Sequence, residues 1–349
     1  MKNWFSFLSK NIGIDLGTAN TLVYLSGRGI VINEPSIVAV NAKTNQILAV
    51  GAEAKKMLGR TPSHVNVVRP LVSGVISDFE MTQETLRHFL KKMGGNQYVT
   101  RYNMAVIGVP SNLTEVERKS VEDAALGAGV ARAYVIEEPL AAAIGARLPI
   151  DEPTANMIVD IGGGTTEIAI ISMGGTVTAK SLKIAGDKFN DDIIRFVRDE
   201  FRLAIGEPTA EELKIAIGSV LPQDQKLELA IRGRDLATGL PKEIVVRDTH
   251  VRTAISKSVK SIVEAIREVV ESAPPELVGD ILKRGIFLCG GGSALRGIDK
   301  LISTDLSVAT TIVDDPLTCV VRGTGIVVEN FEKYRQILEN PMRSRDIKT

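Results

Sequence analysis

Cysteine is scarce: Cys289 and Cys319 are the only two in 349 residues, and neither has a neighbour at C-x-x-C spacing. That excludes a disulfide scaffold, argues against a thiolate zinc site or redox pair, and fits a reducing compartment. Histidine is equally sparse, with His64, His88 and His250 scattered along the chain, so a histidine-based metal site is not expected. No apolar run approaches the roughly 20 residues that span a bilayer. The first eleven residues lack the long apolar core and small-residue cleavage site of a secretory signal. An excess of one charge is missing too, because 42 Lys and Arg balance 42 Asp and Glu. A general nucleic-acid binder would normally be basic, so nucleic acid is not expected as a partner. A neutral chain also has little net repulsion between its own copies. No Gly-Lys dipeptide occurs, which rules out a P-loop, and no strict G-x-G-x-x-G supports a Rossmann dinucleotide site.

What is present is an ordinary globular composition, 44% hydrophobic and 24% charged, long enough for about two domains with cores that need no staple. Two short segments resemble each other. Ile14-Asp15-Leu16-Gly17-Thr18-Ala19-Asn20-Thr21 aligns with Val159-Asp160-Ile161-Gly162-Gly163-Gly164-Thr165-Thr166. Each lies between apolar stretches and reads as strand, tight turn, strand, with Asp closing the first strand. Their aspartates are 145 residues apart, so two related halves are the simplest explanation. Each half also has an apolar strand that ends in glycine, at 105–110 and 286–293, before a helical pattern at 115–127 and 295–302. Further helices are expected over 187–205, over 210–217 behind a Thr209-x-x-Glu212 capping box, over 251–270, from Pro139 to about 146, and from Asp315-Pro316 to about 328. Strands alternating with helices give an α/β class, and the hairpins make its sheets mixed.

Small residues at the two hairpin turns let backbone amides approach an anion closely and form nests for it. Two such nests facing each other could hold a chain of phosphates between two lobes. Asp15 and Asp160 would repel phosphate, but make sense beside a phosphate-bound Mg²⁺ that takes one or two carboxylates and keeps several waters. Thr18, Thr165 and Thr166 can donate hydroxyls. A single such hairpin reads better as a plain tight turn; its repetition is what favours a nucleotide-phosphate site. Gly290, Gly291, Gly292 and Ser293 would let a flat nucleoside lie against backbone. Glu211 and Lys214 share a helix face and could bracket a ribose or base edge, or simply form an exposed ion pair. Glu138, before Pro139, could orient a water for in-line attack on a γ-phosphate, or could only complement a helix dipole.

Residues 12–21 (IGIDLGTANT), 158–167 (IVDIGGGTTE), 136–143 (IEEPLAAA) and 288–293 (LCGGGS) resemble the phosphate, hinge and adenosine motifs of the actin and sugar-kinase superfamily. Within it the chain resembles the MreB family of bacterial actin homologues, which set rod shape. Asn33-Glu34-Pro35-Ser36, Leu58-Gly59-Arg60-Thr61-Pro62 and Asp315-Pro316-Leu317-Thr318-Cys319 are also close to that family's pattern, and the likeness covers about residues 10–330. It implies an actin-like fold of two lobes, each a mixed sheet flanked by helices, with a nucleotide cleft between them. The expected divisions are a membrane-binding segment at 1–11, a first lobe at 12–146 with an insertion at about 33–75, a second lobe at 147–330 with an insertion at about 186–250, and a tail at 331–349. The resemblance further implies an ATPase with ATP or ADP and Mg²⁺ as cofactors. Gly17, Thr18, Ala19, Asn20, Gly162, Gly163, Gly164 and Thr165 would hold phosphates. Asp15 and Asp160 would sit near Mg²⁺, and Glu138, Thr165 and Asp160 would be catalytic. Gly186, Asp187, Glu211, Glu212, Leu213, Lys214 and the run 290–293 would contact the nucleoside. The implied partners are further copies of the chain, the inner membrane surface, and the cell-wall elongation proteins MreC, MreD and RodZ.

The first ten residues carry a separate signal. On a helical wheel Met1, Trp4, Phe5, Phe7 and Leu8 fall within an arc of about 160°, with Lys2, Asn3, Ser6, Ser9 and Lys10 opposite. The chain's only tryptophan is here although aromatics make up just 4% overall. An aromatic face flanked by lysines suits a membrane interface, and a filament displaying many copies would gain avidity. A peripheral position on the inner face of the plasma membrane follows as the expectation, with a weaker second contact near 98–104. The alternatives on the same fold are a soluble phosphotransferase of the sugar-kinase type, which would need an acceptor pocket, and a chaperone ATPase, which would need an added substrate-binding domain.

Overall fold

The computed structural model describes residues 9–94 and 101–338. It is built on one topology used twice. In the first sheet Gly29–Pro35, Asn20–Leu25 and Ser9–Leu16 form an antiparallel meander, continued in parallel by Arg101–Val109 and Ala133–Glu137. In the second, Gly175–Leu182, Thr166–Ser172 and Asn156–Ile161 form the meander, continued in parallel by Ile286–Cys289 and Thr310–Ile312. Asp15 pairs with Leu22 and Gly108, and Asp160 with Glu167 and Cys289, so the two aspartates occupy the same place in the two sheets.

The central strands are apolar on both faces, as strands covered on both sides must be. In the first lobe Ile12, Ile14 and Ile107 pack outward with Leu86, Phe89 and Val121 from Phe79–Gly94 and Glu115–Ala128. In the second, Met157, Val159 and Ile170 pack with Phe189, Ile255 and Ile262 from Gly186–Phe201 and Asp248–Glu271. The inward faces share a third core, in which Val106 and Ile136 of one sheet and Ile158 and Ile171 of the other meet two helices, Glu138–Gly145 and Cys319–Glu329. Each helix leaves its own half: Glu138–Gly145 packs on the second sheet, and Cys319–Glu329 packs on the first. A cut at residue 146 therefore does not separate the packing of the two lobes.

The two helices cross where each lacks a side chain. A Cβ on Gly323 would overlap the Ala141 carbonyl oxygen, and one on Gly145 would overlap that of Cys319. The same helix meets the first sheet with equal closeness, since a Cβ on Gly13 would lie 2.5 Å from Thr324 Oγ1. Each lobe carries a smaller sheet as well. Val38–Asn41, Ile47–Val50 and Val65–Val68 form one with the helix Ala52–Met57; Leu203–Ala204, Glu228–Asp235 and Pro241–Arg247 form the other beside Glu207–Ile217.

Several helix limits differ from the sequence expectation. The helix expected over 187–205 stops at Phe201, because Arg202 turns left-handed at φ 53° and Leu203–Ala204 joins a sheet. The helix placed behind Thr209 begins at Glu207 with Gly206 as its N-cap and Pro208 in its first turn, a position where a fixed φ costs nothing. The pattern at 295–302 resolves into a 3₁₀ turn, Gly291–Ala294, and a helix, Ile298–Leu306, after Gly297 at φ 84°. Pro316–Thr318 is likewise a 3₁₀ turn, and the long helix starts at Cys319. Ser9 and Lys10 belong to a strand paired with residues 101–102, so the helical wheel over residues 1–10 extends two residues too far. Trp4, Phe5, Phe7 and Leu8 lie outside the described residues, as do residues 98–100 of the second suggested membrane contact and the charged end 343–349. The first part of the expected tail is a helix, Phe331–Leu338, whose Phe331 ring stands 4.9 Å from that of Tyr134.

The crossing gives a test by one substitution at two places. Gly323→Ala forces a methyl against backbone, and overpacking of this kind costs about 1–3 kcal/mol. Gly279, inside Pro275–Arg284, has open space where its Cβ would be, so Gly279→Ala gains about 0.5–1 kcal/mol from helix propensity. Thermal unfolding followed by circular dichroism will show Tm falling for the first variant and holding or rising for the second. Equal behaviour of the two would contradict the close crossing.

Candidate functional site

The equivalent ends of Asn156–Ile161 and Ser9–Leu16 turn toward each other, and between the lobes lies a cavity of about 430 Å³. The two hairpin turns meet at its edge. A Cβ on Gly163 would come 2.5 Å from the Ala19 Cβ, and one on Gly164 would come 2.5 Å from Thr18 Oγ1; only glycine allows this approach. Local bonds set both turns. Gly162 N–H donates to the Thr165 carbonyl at 2.9 Å, Ser36 Oγ donates to the Gly17 carbonyl at 2.6 Å, and Gly74 N–H donates to Thr18 Oγ1 at 2.9 Å. The N-terminus of Gly186–Phe201 is fixed on the second turn, with the amides of Gly186 and Asp187 donating to the carbonyls of Gly162 and Gly163 at 3.1 and 2.8 Å.

Asp15, Glu138, Asp160, Asp187 and Lys214 all line the cavity, and Glu167 is buried beside them at 1% exposure. Burial pushes the Asp15 carboxyl up to about 8, and the charge of Asp160 adds to it. Burial likewise raises Asp160 to about 7, followed by the charge of Glu167 and opposed by the Cys289 thiol. Glu138 is held well above the ordinary carboxylate range by burial and then by Glu167, Asp15 and Asp160. Glu167 is raised by burial, against hydrogen bonds from Ser181 Oγ and the Ser111 amide. Burial lowers Lys214, which donates to the Gly186 carbonyl at 3.0 Å. The two adjacent glutamates part company here. Glu137 is engaged by Arg118 at 3.4 Å and by the Thr176 hydroxyl at 2.9 Å, whereas Glu138 faces the cavity.

The cavity wall also contains Gly17, Thr18, Ala19, Asn20, Gly162–Thr165, Gly186, Glu211 and Gly290–Gly292 among the residues singled out from sequence. Four others are not part of it. Leu213 is fully buried in the second-lobe core, Glu212 faces solvent, the Ser293 hydroxyl is spent on the Gly290 carbonyl at 2.7 Å, and the buried Thr166 hydroxyl donates to the Ile184 carbonyl at 2.7 Å. The reason is the helix period: Glu211 and Lys214 share a face, and the two residues between them point elsewhere. Sequence reading missed Lys55, Arg69 and Glu207, which line the cavity together with Asn190 of Gly186–Phe201. Glu207 was findable, since it stands one turn before Glu211. Lys55 and Arg69 come from the small sheet of the other lobe and gave no local signal. Asn190 Oδ1 is buried with no hydrogen-bond partner, an acceptor left open at the cavity. Among the described residues no group of three His, Cys, Asp or Glu side chains could hold a metal ion alone.

Two duplicated sheets, joined by exchanged helices and closed over paired Asp-ended hairpins, define an actin-like protein. The chain belongs to the MreB/Mbl family, whose pattern it matches over residues 9–336. It is 46% identical over 325 residues to the cell shape-determining protein Mbl of Bacillus subtilis, covering 93% of this chain and 97% of that one. Its fold is similar to that of MreB5 of Spiroplasma citri, solved bound to ADP and also to AMPPNP. The TM-score is 0.90 at 40% identity, over 94% of this chain and 98% of that one. A double helical filament of MamK is more distant, with a TM-score of 0.79 and 26% identity over 92% of this chain and 99% of that one.

The raised acids make stability pH-dependent in a definite sense. The folded chain binds protons that the unfolded chain, with Asp near 3.8, has lost. The contribution of Asp15 is therefore fully present below about pH 4 and disappears as pH rises through about 8. Asp15→Asn removes that loss, so its stability relative to the parent chain, measured by urea denaturation without nucleotide, will improve steadily from pH 5 to pH 8.5. A difference that stays flat with pH would refute the assignment.

Proposed function

We propose that this chain is an ATP-dependent polymerising protein of the cell-shape cytoskeleton, with nucleotide held between the lobes and slow hydrolysis linked to filament turnover. The observation that carries the reading is the meeting of two glycine turns with two equivalent aspartates at one cavity. The relatives agree in kind: Mbl is named for cell shape, MreB5 was solved with ADP and AMPPNP, and MamK was solved as a filament.

The residues present fit the cofactors. The glycine turns leave backbone exposed where side chains would block it, and Lys214 supplies a cation at the cavity. Asn190 Oδ1 offers an unfilled acceptor for a hydroxyl group. Asp15 and Asp160 would hold a Mg²⁺ near the phosphates, since burial lifts both carboxyls above their ordinary range and a divalent cation would offset their charge. When bound, Mg²⁺ neutralises charge on the phosphates and on these two acids. Glu138, in its ionised form, could accept a hydrogen bond from an attacking water and hold it in line. Thr165 adds a hydroxyl at the same turn, and the lobes limit bulk water. Release of protons on Mg-nucleotide binding follows from the raised values, and calorimetry in buffers of different ionisation enthalpy measures it.

Membrane attachment is proposed for the aromatic face of residues 1–8, with peripheral placement on the inner face of the plasma membrane and MreC, MreD and RodZ as partners. Among the described residues no helix is long and apolar enough to cross a membrane.

Sedimentation tests these parts together. With Mg-ATP the chain should pellet, more so with anionic liposomes, and removing residues 1–8 should abolish only the liposome gain. Glu138→Ala should still pellet while phosphate release drops by about 10²-fold or more, the scale of a positioned acid or base. A chain that binds ATP yet stays in the supernatant with and without lipid would overturn the filament reading and favour a soluble phosphotransferase.

A further inference from the structure

The mouth of the cavity is crossed by two ion pairs. Glu207 and Glu211 stand one turn apart on Glu207–Ile217 and so share a face. Opposite them are Arg69, just beyond Val65–Val68, and Lys55, on Ala52–Met57, both from the small sheet of the first lobe. Arg69 Nη2 pairs with Glu207 Oε1, and Lys55 Nζ lies 3.1 Å from Glu211 Oε2. The partners are 138 and 156 residues apart in sequence, so neither pair contributes to local structure. All four side chains line the cavity. They are also in touch with water, at 28% and 35% exposure for Arg69 and Glu207. Asp187 lies in the same field: burial raises its carboxyl, Arg69 and Lys214 oppose this, and Glu207 and Glu211 add to it.

Three physical points follow from this placement. Ion pairs between lobes exist only while the lobes are close, so their whole interaction energy favours the closed arrangement. Partly exposed pairs are individually weak and are screened by salt, which makes them a fastening that opens rather than a permanent bond. Neither pair involves the helix crossing, so breaking one leaves the join between the lobes intact.

We propose that Arg69–Glu207 and Lys55–Glu211 form a salt-sensitive clasp across the cleft, and that its opening sets how fast a bound nucleotide leaves. The proposal rests on the nucleotide reading of the cavity given above. Arg69 and Glu207 are the informative pair, because Glu211 is itself a candidate nucleoside contact.

The test is the release of a ribose-labelled fluorescent ATP, loaded with Mg²⁺ onto the full-length chain and chased with excess ATP in a stopped-flow instrument. The chain is kept dilute enough to remain in the supernatant, and KCl is set at 50 and 500 mM. Release from the unaltered chain should accelerate with salt. Arg69→Gln and Glu207→Gln should each release about threefold faster at low salt, the scale of one exposed pair, with a weaker salt response. Arg69→Glu and Glu207→Arg should release faster still, and the exchanged pair Arg69→Glu/Glu207→Arg should recover slow release. The milder glutamine variants keep the experiment readable if a charge reversal impairs folding, which thermal unfolding checks. Labelled ATP that binds but leaves all variants at one rate, or an exchange that fails to recover slow release, would overturn the clasp and leave the nucleotide reading standing. Failure of the unaltered chain to bind labelled ATP at all would overturn both.

Discussion

The arrangement depends on two helices that touch through backbone. At Gly145 and Gly323 any side chain would occupy space already held by a carbonyl of the other helix, and this fixes how near the two sheets can come. Everything at the cavity follows from that separation. The sheets end in equivalent hairpins, so bringing them together in this way places Asp15 opposite Asp160 and one glycine turn against the other. The helices also serve both lobes at once, each packing on the sheet of the other half. The junction is therefore a continuous apolar core, and movement between lobes is limited to what a close-packed interior permits.

The floor of the cavity is electrostatically unfinished. Asp15, Glu138, Asp160 and Glu167 are crowded into a desolvated region; burial lifts all four, and the charge of a neighbouring acid adds to each. Such a group is a poor device for stability but a good receptor for a cation that arrives with its own counter-charges. Only Glu167 is largely compensated by the protein, through Ser111 and Ser181. The other three face the cavity, where a bound ligand can change their surroundings.

How much of this was legible depended on whether a residue's role is local. The hairpins were readable because a tight turn demands small residues at fixed spacing and the pattern occurs twice. From them came the doubled sheets, Asp15, Asp160 and the glycine turns. Glu138 was readable as a candidate, but separating it from Glu137 required the packed neighbours Arg118 and Thr176. Glu212, Leu213 and Ser293 were carried along with true neighbours, because a contiguous motif does not show which way each side chain turns. Lys55 and Arg69 could not be seen at all, since their meaning arises only when a distant part of the chain closes over them. The wheel drawn through residue 10 failed at its end for a similar reason: strand pairing with residues 101–102 takes Ser9 and Lys10 out of the helical pattern in which they completed the polar side.

The exchange of helices has a consequence for how the chain is made. Val106 and Ile136 in the first sheet are covered by a core that includes Val320 and Val327, and Gly13 and Tyr24 receive the same late helix. A ribosome completes the first sheet some 180 residues before it begins this cover, the span from Glu137 to Cys319. During that interval Glu138–Gly145 alone of the two helices is available to cover the sheet's inward apolar face. The first lobe therefore reaches its full burial only once Cys319–Glu329 has been made. Until then the nascent chain depends on delayed collapse or on a chaperone to keep that face from associating with its neighbours on the polysome.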